Sequence, residues 1–347
     1  MTEHRPSTLS RRRLLSGAGK AAAAGLLAPA LAAPLLSRPA FAATTATGAA
    51  GGILKVGDQR STIRSLLEAS GQLKDVPYTL EFADFPAAAP VLEALNAGAI
   101  DAGFAGDAAH AFALSNGLPA RIISAARSDP GCIGLLVRKD SPIRTVADLK
   151  GRTITAVRGS IGHYLVVAAL KANGLSVNDV TLAFLQPTEA KSAFSSGTVD
   201  AWAIWTLYVA QEVVAGTGRV LVDGRGLLNN NAFISATDVA IAQKRPLLQD
   251  YVARVAAARI WALGNVEQYA RIWGVLVKVT PEIAVAAFKL ERFRPVAVDD
   301  GIIADLQTTA DFYTGIGVIQ KPFTAAAHAD RSFALDAGLL AQSARAG

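Results

Sequence analysis

The sequence predicts an α/β protein of two similar lobes, each on a parallel-type sheet, joined by two chain crossings and followed by a helical C-terminal extension. Three observations carry this. Short apolar runs alternate with helical stretches of ten to fifteen residues, the pattern of parallel strands joined by right-handed crossovers. A segment near residue 100 recurs near residue 200. Beyond about residue 242 the apolar spacing is almost wholly helical.

Residues 1–42 stand apart. Ser10-Arg11-Arg12-Arg13-Leu14-Leu15 is a twin-arginine pattern, followed by an Ala-rich apolar stretch that Lys20, Pro29 and Pro34 interrupt, and then by the small-x-small site Ala40-Phe41-Ala42. This order predicts an export signal and a periplasmic protein. A retained anchor helix is the alternative, and the prolines and cleavage site argue against it. Segment 43–52 reads as a flexible N-terminus. The whole chain has 34 basic and 28 acidic residues; residues 1–42 hold six of the bases and one acid, which leaves 28 and 27. The excess charge therefore belongs to the signal and gives no ground for a nucleic-acid or membrane-surface partner. A monomer is expected. The single cysteine, Cys132, allows no intrachain disulfide, so the exported protein has to rely on its core.

Residues 94–106, ALNAGAIDAGFAG, match residues 193–205, AFSSGTVDAWAIW, at an offset of 99 that aligns Gly98 with Gly197 and Asp101 with Asp200. TLEFADFP (79–86) matches VTLAFLQP (180–187), and LKVGDQ (54–59) has its counterpart in TITAVRGS (153–160). Each half reads strand, helix, strand, helix, strand. The first half has strands at 53–57, 79–84 and 100–105 and helices at 60–71 and 87–97; the second has strands at 153–157, 180–185 and 199–204 and helices at 161–173 and 188–196. Chance likeness of two ordinary βαβ units would leave the sheet assignment unchanged. Apolar runs at 133–138 and 232–241 read as the crossings, giving one lobe of 53–136 with 236–347 and another of 137–235. Two crossings make a hinge. The helices beyond 242 are expected to pack on the first lobe.

The motif search excludes more than it finds. His110, His163 and His328 lack metal-ligand spacing, and no HExxH, Walker A, GxGxxG or GxSxG is present. No metal, cofactor or catalytic residue is expected. Cys132 reads as a small buried hydrophobe. What remains are the loops after the strands, because ligands of open parallel sheets meet the strands' carboxyl ends. These loops hold Gln59 and Arg60; Phe85 with Ala87, Ala88 and Ala89; Gly106, Asp107 and Ala108; Gly159, Ser160, His163 and Tyr164; and Trp205. Most precede a helix, whose first N–H groups attract anions. Ser160 can cap its helix or donate to an anion. Arg60 and Arg127 can add charge to the site or stay solvated. Asp107 is undecided. Trp205 closes its strand at the cleft edge, whereas Trp202 belongs to the core.

DFPAAAPVLEALNAGAIDAGFAGDAA, RKDSPIRTVADLKGRTITAVRGSIGHYLVVAALKANGLSVNDV and GTVDAWAIWTLYVA, in that order, resemble the aliphatic sulfonate-binding proteins of bacterial ABC importers, part of a wider nitrate-, sulfonate- and taurine-binding family. The resemblance spans nearly all of 53–320. It implies a two-lobed, type II periplasmic-binding-protein fold, a small anionic organic ligand and an ABC permease as partner. The family's cleft positions carry over to Gln59, the 86–90 loop, Gly106 to Ala108, Gly159, Ser160, His163, Tyr164 and Trp205. Three departures lie on the ligand side. Ala88-Ala89 stand for Gly-Pro, Ala109 follows Gly106-Asp107-Ala108 where the family has GDAP, and Trp205-Thr206-Leu207-Tyr208 stand for WDPY. Relatives of the fold include a desulfinase and enzymes of thiamine-pyrimidine synthesis, so an enzyme on this scaffold is one alternative and a ligand sensor for a membrane signalling partner another.

Overall fold

The computed structural model describes residues 51–345. The export signal expected over 1–42, and residues 43–50 of the segment after it, lie outside the described residues. The first repeat lays down β1 (Ile53–Gln59), α1 (Thr62–Ala69), β2 (Thr79–Phe85), α2 (Ala88–Asn96), β3 (Ala102–Gly106), α3 (Asp107–Ser115) and β4 (Ala120–Arg127). The second lays down β5 (Ile133–Arg138), β6 (Thr153–Ala156), α4 (Ile161–Ala172), β7 (Thr181–Phe184), α5 (Pro187–Ser196), β8 (Ala201–Trp205), α6 (Thr206–Val214) and β9 (Gly218–Asp223). The chain returns through β10 (Asn231–Thr237) and finishes as α7 (Asp238–Gly264), α8 (Val266–Val277), α9 (Pro281–Leu290), β11 (Arg294–Val296), α10 (Asp300–Gly315) and α11 (Ala337–Arg345).

Two sheets result, ordered β11-β4-β10-β3-β1-β2 and β7-β6-β8-β5-β9. The repeated cores β2-β1-β3 and β7-β6-β8 are parallel. The remaining pairings are antiparallel: β10 with β3 and β4, β11 with β4, and β5 with β8 and β9. Parallel-type sheets are thus a correct description of the cores only. A strand that comes straight from the other sheet, without a crossover helix, enters from the cleft end and must run against its neighbours.

The crossings also differ from expectation. β5 and β10 each lie wholly within one sheet, and the chain passes between sheets at 128–132 and 224–230. The lobe limits read from sequence, at 136/137 and 235/236, fall inside those two strands, which are as apolar as any core strand and so carry no boundary signal. The crossings run side by side. Ser128 N–H donates to the Asn230 carbonyl at 2.9 Å, and Arg225 grips Asp129 through two nitrogens, each at 3.1 Å.

The repeat is visible bond by bond. Asp101 N–H donates to the Lys55 carbonyl at 2.8 Å while its carboxylate accepts from Lys55 N–H at 2.7 Å. Asp200 and Thr153 make the same pair of bonds, at 2.8 and 2.9 Å. These aspartates tie strand starts remote from the cleft, which delays β3 and β8 to residues 102 and 201. α1 starts at Thr62 rather than residue 60 because Arg60 and Ser61 are both left-handed, with φ of 52° and 55°.

The first sheet is covered on one face by α2, α3 and α10, with Val91, Leu95, Leu114 and Leu306 in its core, and on the other by α1, α7, α8 and α9, with Leu67, Leu248 and Tyr269. α7 is kinked at Lys244, two residues before Pro246. In the second lobe α4 covers one face, and Phe194, Trp202 and Val209 fill the other beneath α5 and α6. The C-terminal helices pack on the first lobe as expected, and α9 also reaches across to α6. Leu207 and Ala210 of α6 join the first lobe's core, and Leu290 of α9 packs on the second lobe's.

α4 approaches β8 so closely that a Cβ on Gly162 would lie 2.6 Å from the Ala203 carbonyl oxygen. Alanine would gain up to about 1 kcal/mol of helix propensity but force apart a packed layer at a cost of about 1–3 kcal/mol. Gly162→Ala is therefore expected to lower the urea midpoint of unfolding.

Candidate functional site

Helices that follow the cleft-facing strand ends leave backbone N–H groups unpaired, and each start solves this differently. At α1, Asp58 accepts from Ile63 N–H at 3.0 Å and Arg64 N–H at 2.8 Å, and Asp84 accepts from Ser61 N–H at 2.7 Å. At α3, Asp107 accepts from Ala108 N–H at 2.7 Å and Asn231 N–H at 3.2 Å. Ser160 caps α4, accepting from His163 N–H at 3.4 Å while its hydroxyl donates to the Val157 carbonyl at 2.7 Å. Gln186 and Glu189 box the start of α5. The first turn of α2, at Ala87, has no side-chain cap. α6 has none from Trp205, and its Thr206 hydroxyl donates to Glu291 of the other lobe at 3.1 Å.

Carboxylates suit helix starts, but enclosure opposes their charge. Asp58 and Asp107, both 1% exposed, are pushed up to about 7, chiefly by burial and against the pull of their backbone donors. Burial likewise pushes Glu291 up to about 7, against the Thr206 hydrogen bond and the field of Arg259.

The residues named from sequence fall into two neighbourhoods. The first joins Gln59, Arg60 and Trp205. Gln59 Nε2 donates to the Phe104 carbonyl at 2.8 Å, tying the ends of β1 and β3. Arg60 reaches across the lobes and donates to the Tyr208 hydroxyl at 3.2 Å. Trp205 is half-buried and meets Tyr208 edge to face, with ring centroids 6.0 Å apart. Arg60 N–H donates to the Phe85 carbonyl at 3.1 Å, which brings in the half-buried Phe85 at the head of the Ala87, Ala88 and Ala89 turn.

The second neighbourhood joins Gly106, Asp107 and Ala108 to Gly159, Ser160, His163 and Tyr164. Gly159 takes a φ of 71° to turn its N–H onto His163 Nδ1 at 3.3 Å. Tyr164 stacks on Phe312 of α10 at 3.7 Å, and Tyr313 donates to the Ser160 carbonyl at 2.6 Å, so these side chains close lobe against lobe. His163 packs edge-on against Phe184 at 5.0 Å, and burial lowers it to about 4, making it neutral at pH 7. Arg127 is not free in this neighbourhood: it pairs with Asp305 at 2.6 Å.

Sequence reasoning did not single out Phe312, Tyr313, Glu291 or Arg259, which depend on tertiary placement. Tyr208 it met only as the last residue of the departure from WDPY, and Asp58 only as a neighbour of Gln59; Tyr208 lies one helical turn beyond Trp205, a spacing that points to it. Arg259 of α7 is 7% exposed, its guanidinium 5.0 Å from the rings of both Phe104 and Phe293, and its Nη1 has no hydrogen-bond partner. Beside it is a cavity of about 10 Å³, also bordered by Ser124 and Pro295, with room for one water at most.

This architecture can be set against known proteins. The NMT1/THI5-like family model matches residues 81–258, just over half of the chain. The chain belongs to the NMT1/THI5-like family. Among its relatives is an Escherichia coli protein named for binding aliphatic sulfonates, 32% identical over 267 residues that cover 75% of this chain and 83% of that protein. The crystal structure of the periplasmic aliphatic sulphonate-binding protein SsuA from E. coli aligns with a TM-score of 0.75 and 29% identity, covering 80% of this chain and 92% of the other. SsuA from Xanthomonas axonopodis, solved bound to MOPS, aligns with a TM-score of 0.73 and 28% identity over 82% of this chain and all of that one. The desulfurization enzyme DszB shares the fold at 20% identity and a TM-score of 0.62. The two-lobed architecture of this NMT1/THI5-like chain is that of the periplasmic binding proteins.

Its buried acids set a pH dependence. Asp58, Asp107 and Glu291 bind protons more tightly folded than unfolded, whereas buried His110 and His163, both lowered to about 4, bind them less tightly. Three acids outweigh two histidines, so stability falls as pH rises from about 5 to 8, and the melting temperature is expected to drop by roughly 3–6 °C over that range, read by scanning calorimetry.

Proposed function

We propose that the chain is the solute-binding receptor of an ABC importer and takes an organic sulfonate or related oxyanion into the gap between its lobes. Arg60 carries this reading. Among the described residues it has no carboxylate at ion-pair distance, and it reaches from one lobe to the aromatic corner of Trp205 and Tyr208 on the other. A cation beside an aromatic corner suits a molecule with an anionic head and an apolar body. The uncapped start of α2 adds backbone donors and small residues that permit close approach. The naming of its relatives for sulfonate binding supports the same ligand class. Phe85 and Trp205 then cover the organic part, and closure of the lobes presents a composite surface to the membrane permease.

The protein works, in this reading, as a periplasmic monomer exported by the twin-arginine signal in residues 1–42. It performs no chemistry on its ligand. An enzyme of the DszB kind is disfavoured by Cys132, which is fully buried, accepts from Asn230 Nδ2 at 3.0 Å, and has its thiol pushed up to about 12 by burial.

The test is a thermal-shift screen against linear alkanesulfonates, aryl sulfonates, sulfate esters, nitrate and taurine. A true ligand at a hundred times its Kd contributes about 2.7 kcal/mol, or roughly 4 °C for a chain of this size. Arg60→Ala is expected to weaken binding by roughly 10- to 100-fold, the worth of a charge-assisted hydrogen bond, with little loss of stability. Trp205→Ala should weaken it as well, as measured by calorimetry. No shift with any sulfonate or sulfate ester would contradict the proposal.

A further inference from the structure

The topology fixes where the gap between the lobes opens. The crossings join β4 to β5 and β9 to β10. Beyond β10 the first sheet continues with β3, β1 and β2, and beyond β5 the second continues with β8, β6 and β7. Helices close both flanks. Tyr164 of α4 meets Phe312 of α10 on one, and α6 packs with α9 on the other. The crossings shut the near end, so the mouth lies at the far end, where the outermost strands β2 and β7 finish.

Arg158 stands at this mouth. It follows β6, and its guanidinium lies over the ring of Phe184, the last residue of β7, 3.9 Å from the centroid. The two residues after it already touch the first lobe. A Cβ on Gly159 would lie 3.9 Å from Phe112 of α3, and the Ser160 carbonyl accepts from Tyr313 at 2.6 Å. Arg158 itself is exposed, and among the described residues it has no hydrogen-bond partner and no carboxylate at ion-pair distance. The neighbouring acids serve helix starts. Glu189 accepts from Gln186 N–H at 3.2 Å, and on the first lobe Asp84 holds Ser61 N–H at 2.7 Å. In the strand-end loops this leaves Arg60 and Arg158, one on each lobe, as cations without a counter-charge.

The position of Arg158 decides what it can do. A guanidinium stacked on a ring keeps its full charge in a fixed place. The charge reaches the α4 start, where it adds to burial in keeping His163 neutral. A solvated rim charge holds a bound partner weakly, but it acts on an approaching one over about 8 Å at physiological ionic strength. Rim charges therefore govern association more than dissociation.

We infer that Arg158 captures the anion: it steers the sulfonate into the mouth and sets the association rate, while groups inside the gap set the dissociation rate. Arg158 is then a specificity-determining residue that favours negative ligands at encounter. This inference rests on the binding site proposed above.

Stopped-flow tryptophan fluorescence of the mature chain mixed with butane-1-sulfonate measures both rates. At about 0.01 M ionic strength, where charges act over about 30 Å, Arg158→Gln should associate roughly three- to tenfold more slowly than wild type and dissociate equally fast. At about 1 M, where the field fades within about 3 Å, the two should associate alike. Arg158→Lys should keep the fast rate. Arg158→Met, which leaves an apolar stem on Phe184 without the charge, should be as slow as Arg158→Gln. Equal association of wild type and Arg158→Gln at low salt, or Arg158→Met as fast as wild type, would overturn the inference and leave the sulfonate site standing. An effect carried by the dissociation rate would also overturn it, by putting Arg158 in contact with the bound ligand. The wild-type association rate should itself fall as salt rises, a measurement that needs no variant; a rate indifferent to salt would refute steering. Absence of butane-1-sulfonate binding by the wild type in calorimetry would instead overturn the site itself, and the inference with it.

Discussion

Everything at the cleft follows from one constraint: a helix start inside a protein must have its free N–H groups satisfied. The two repeats end their parallel strands at the same gap and begin their next helices there, so unpaired donors gather in one place. The chain meets part of this demand itself, with Asp58 at α1, Asp107 at α3 and Ser160 at α4. The first turn of α2 is left without a side-chain partner. A gap lined with oriented amides on both sides favours a small anion, and the placement of Arg60 across it adds a full charge.

The internal acids carry a cost. A carboxylate at a helix start gains about 0.3–1 kcal/mol from the dipole, whereas taking an ion out of water costs several. The second effect wins at Asp58 and Asp107, whose protonation is shifted to neutrality despite three neighbouring backbone donors at Asp58 and two at Asp107. The helix starts at the cleft end of the first lobe are therefore places where a buried carboxyl gives up its proton only near neutrality. Closure depends on different forces. The stack of Tyr164 on Phe312, the Tyr313 bond to the Ser160 carbonyl and the shared packing of α6 with α9 join the lobes through apolar area and neutral hydrogen bonds that pH does not touch.

The repeat, and with it most of the fold, was legible because it rests on local patterns. Alternation of strand and helix, the Gly-x-x-Asp pairs at 98–101 and 197–200, and glycines after helices all report short-range geometry. The antiparallel strands were not legible. β5 and β10 have the composition of their parallel neighbours, and only the route by which the chain enters the sheet reverses them. Candidate residues in loops just after strands, such as Gln59, Arg60 and Trp205, could be named from the strand-end rule. Glu291 could not, since it lies in the helical C-terminal region and meets Thr206 of the second lobe only by folding back. His163 and Tyr164 were named correctly as residues of the α4 start, but their side chains are spent on packing, which depends on Phe184 and Phe312 far away in sequence.

The most direct test of the account is a crystal structure of the mature chain grown with 2-bromoethanesulfonate, in which anomalous scattering locates the bromine without reference to any phase model. The account predicts a single strong peak between the lobes, in van der Waals contact (about 4 Å) with the Trp205 or Tyr208 ring, and the sulfonate within hydrogen-bond reach of Arg60. A peak on the outer surface of either lobe, or none at saturating ligand, would contradict it.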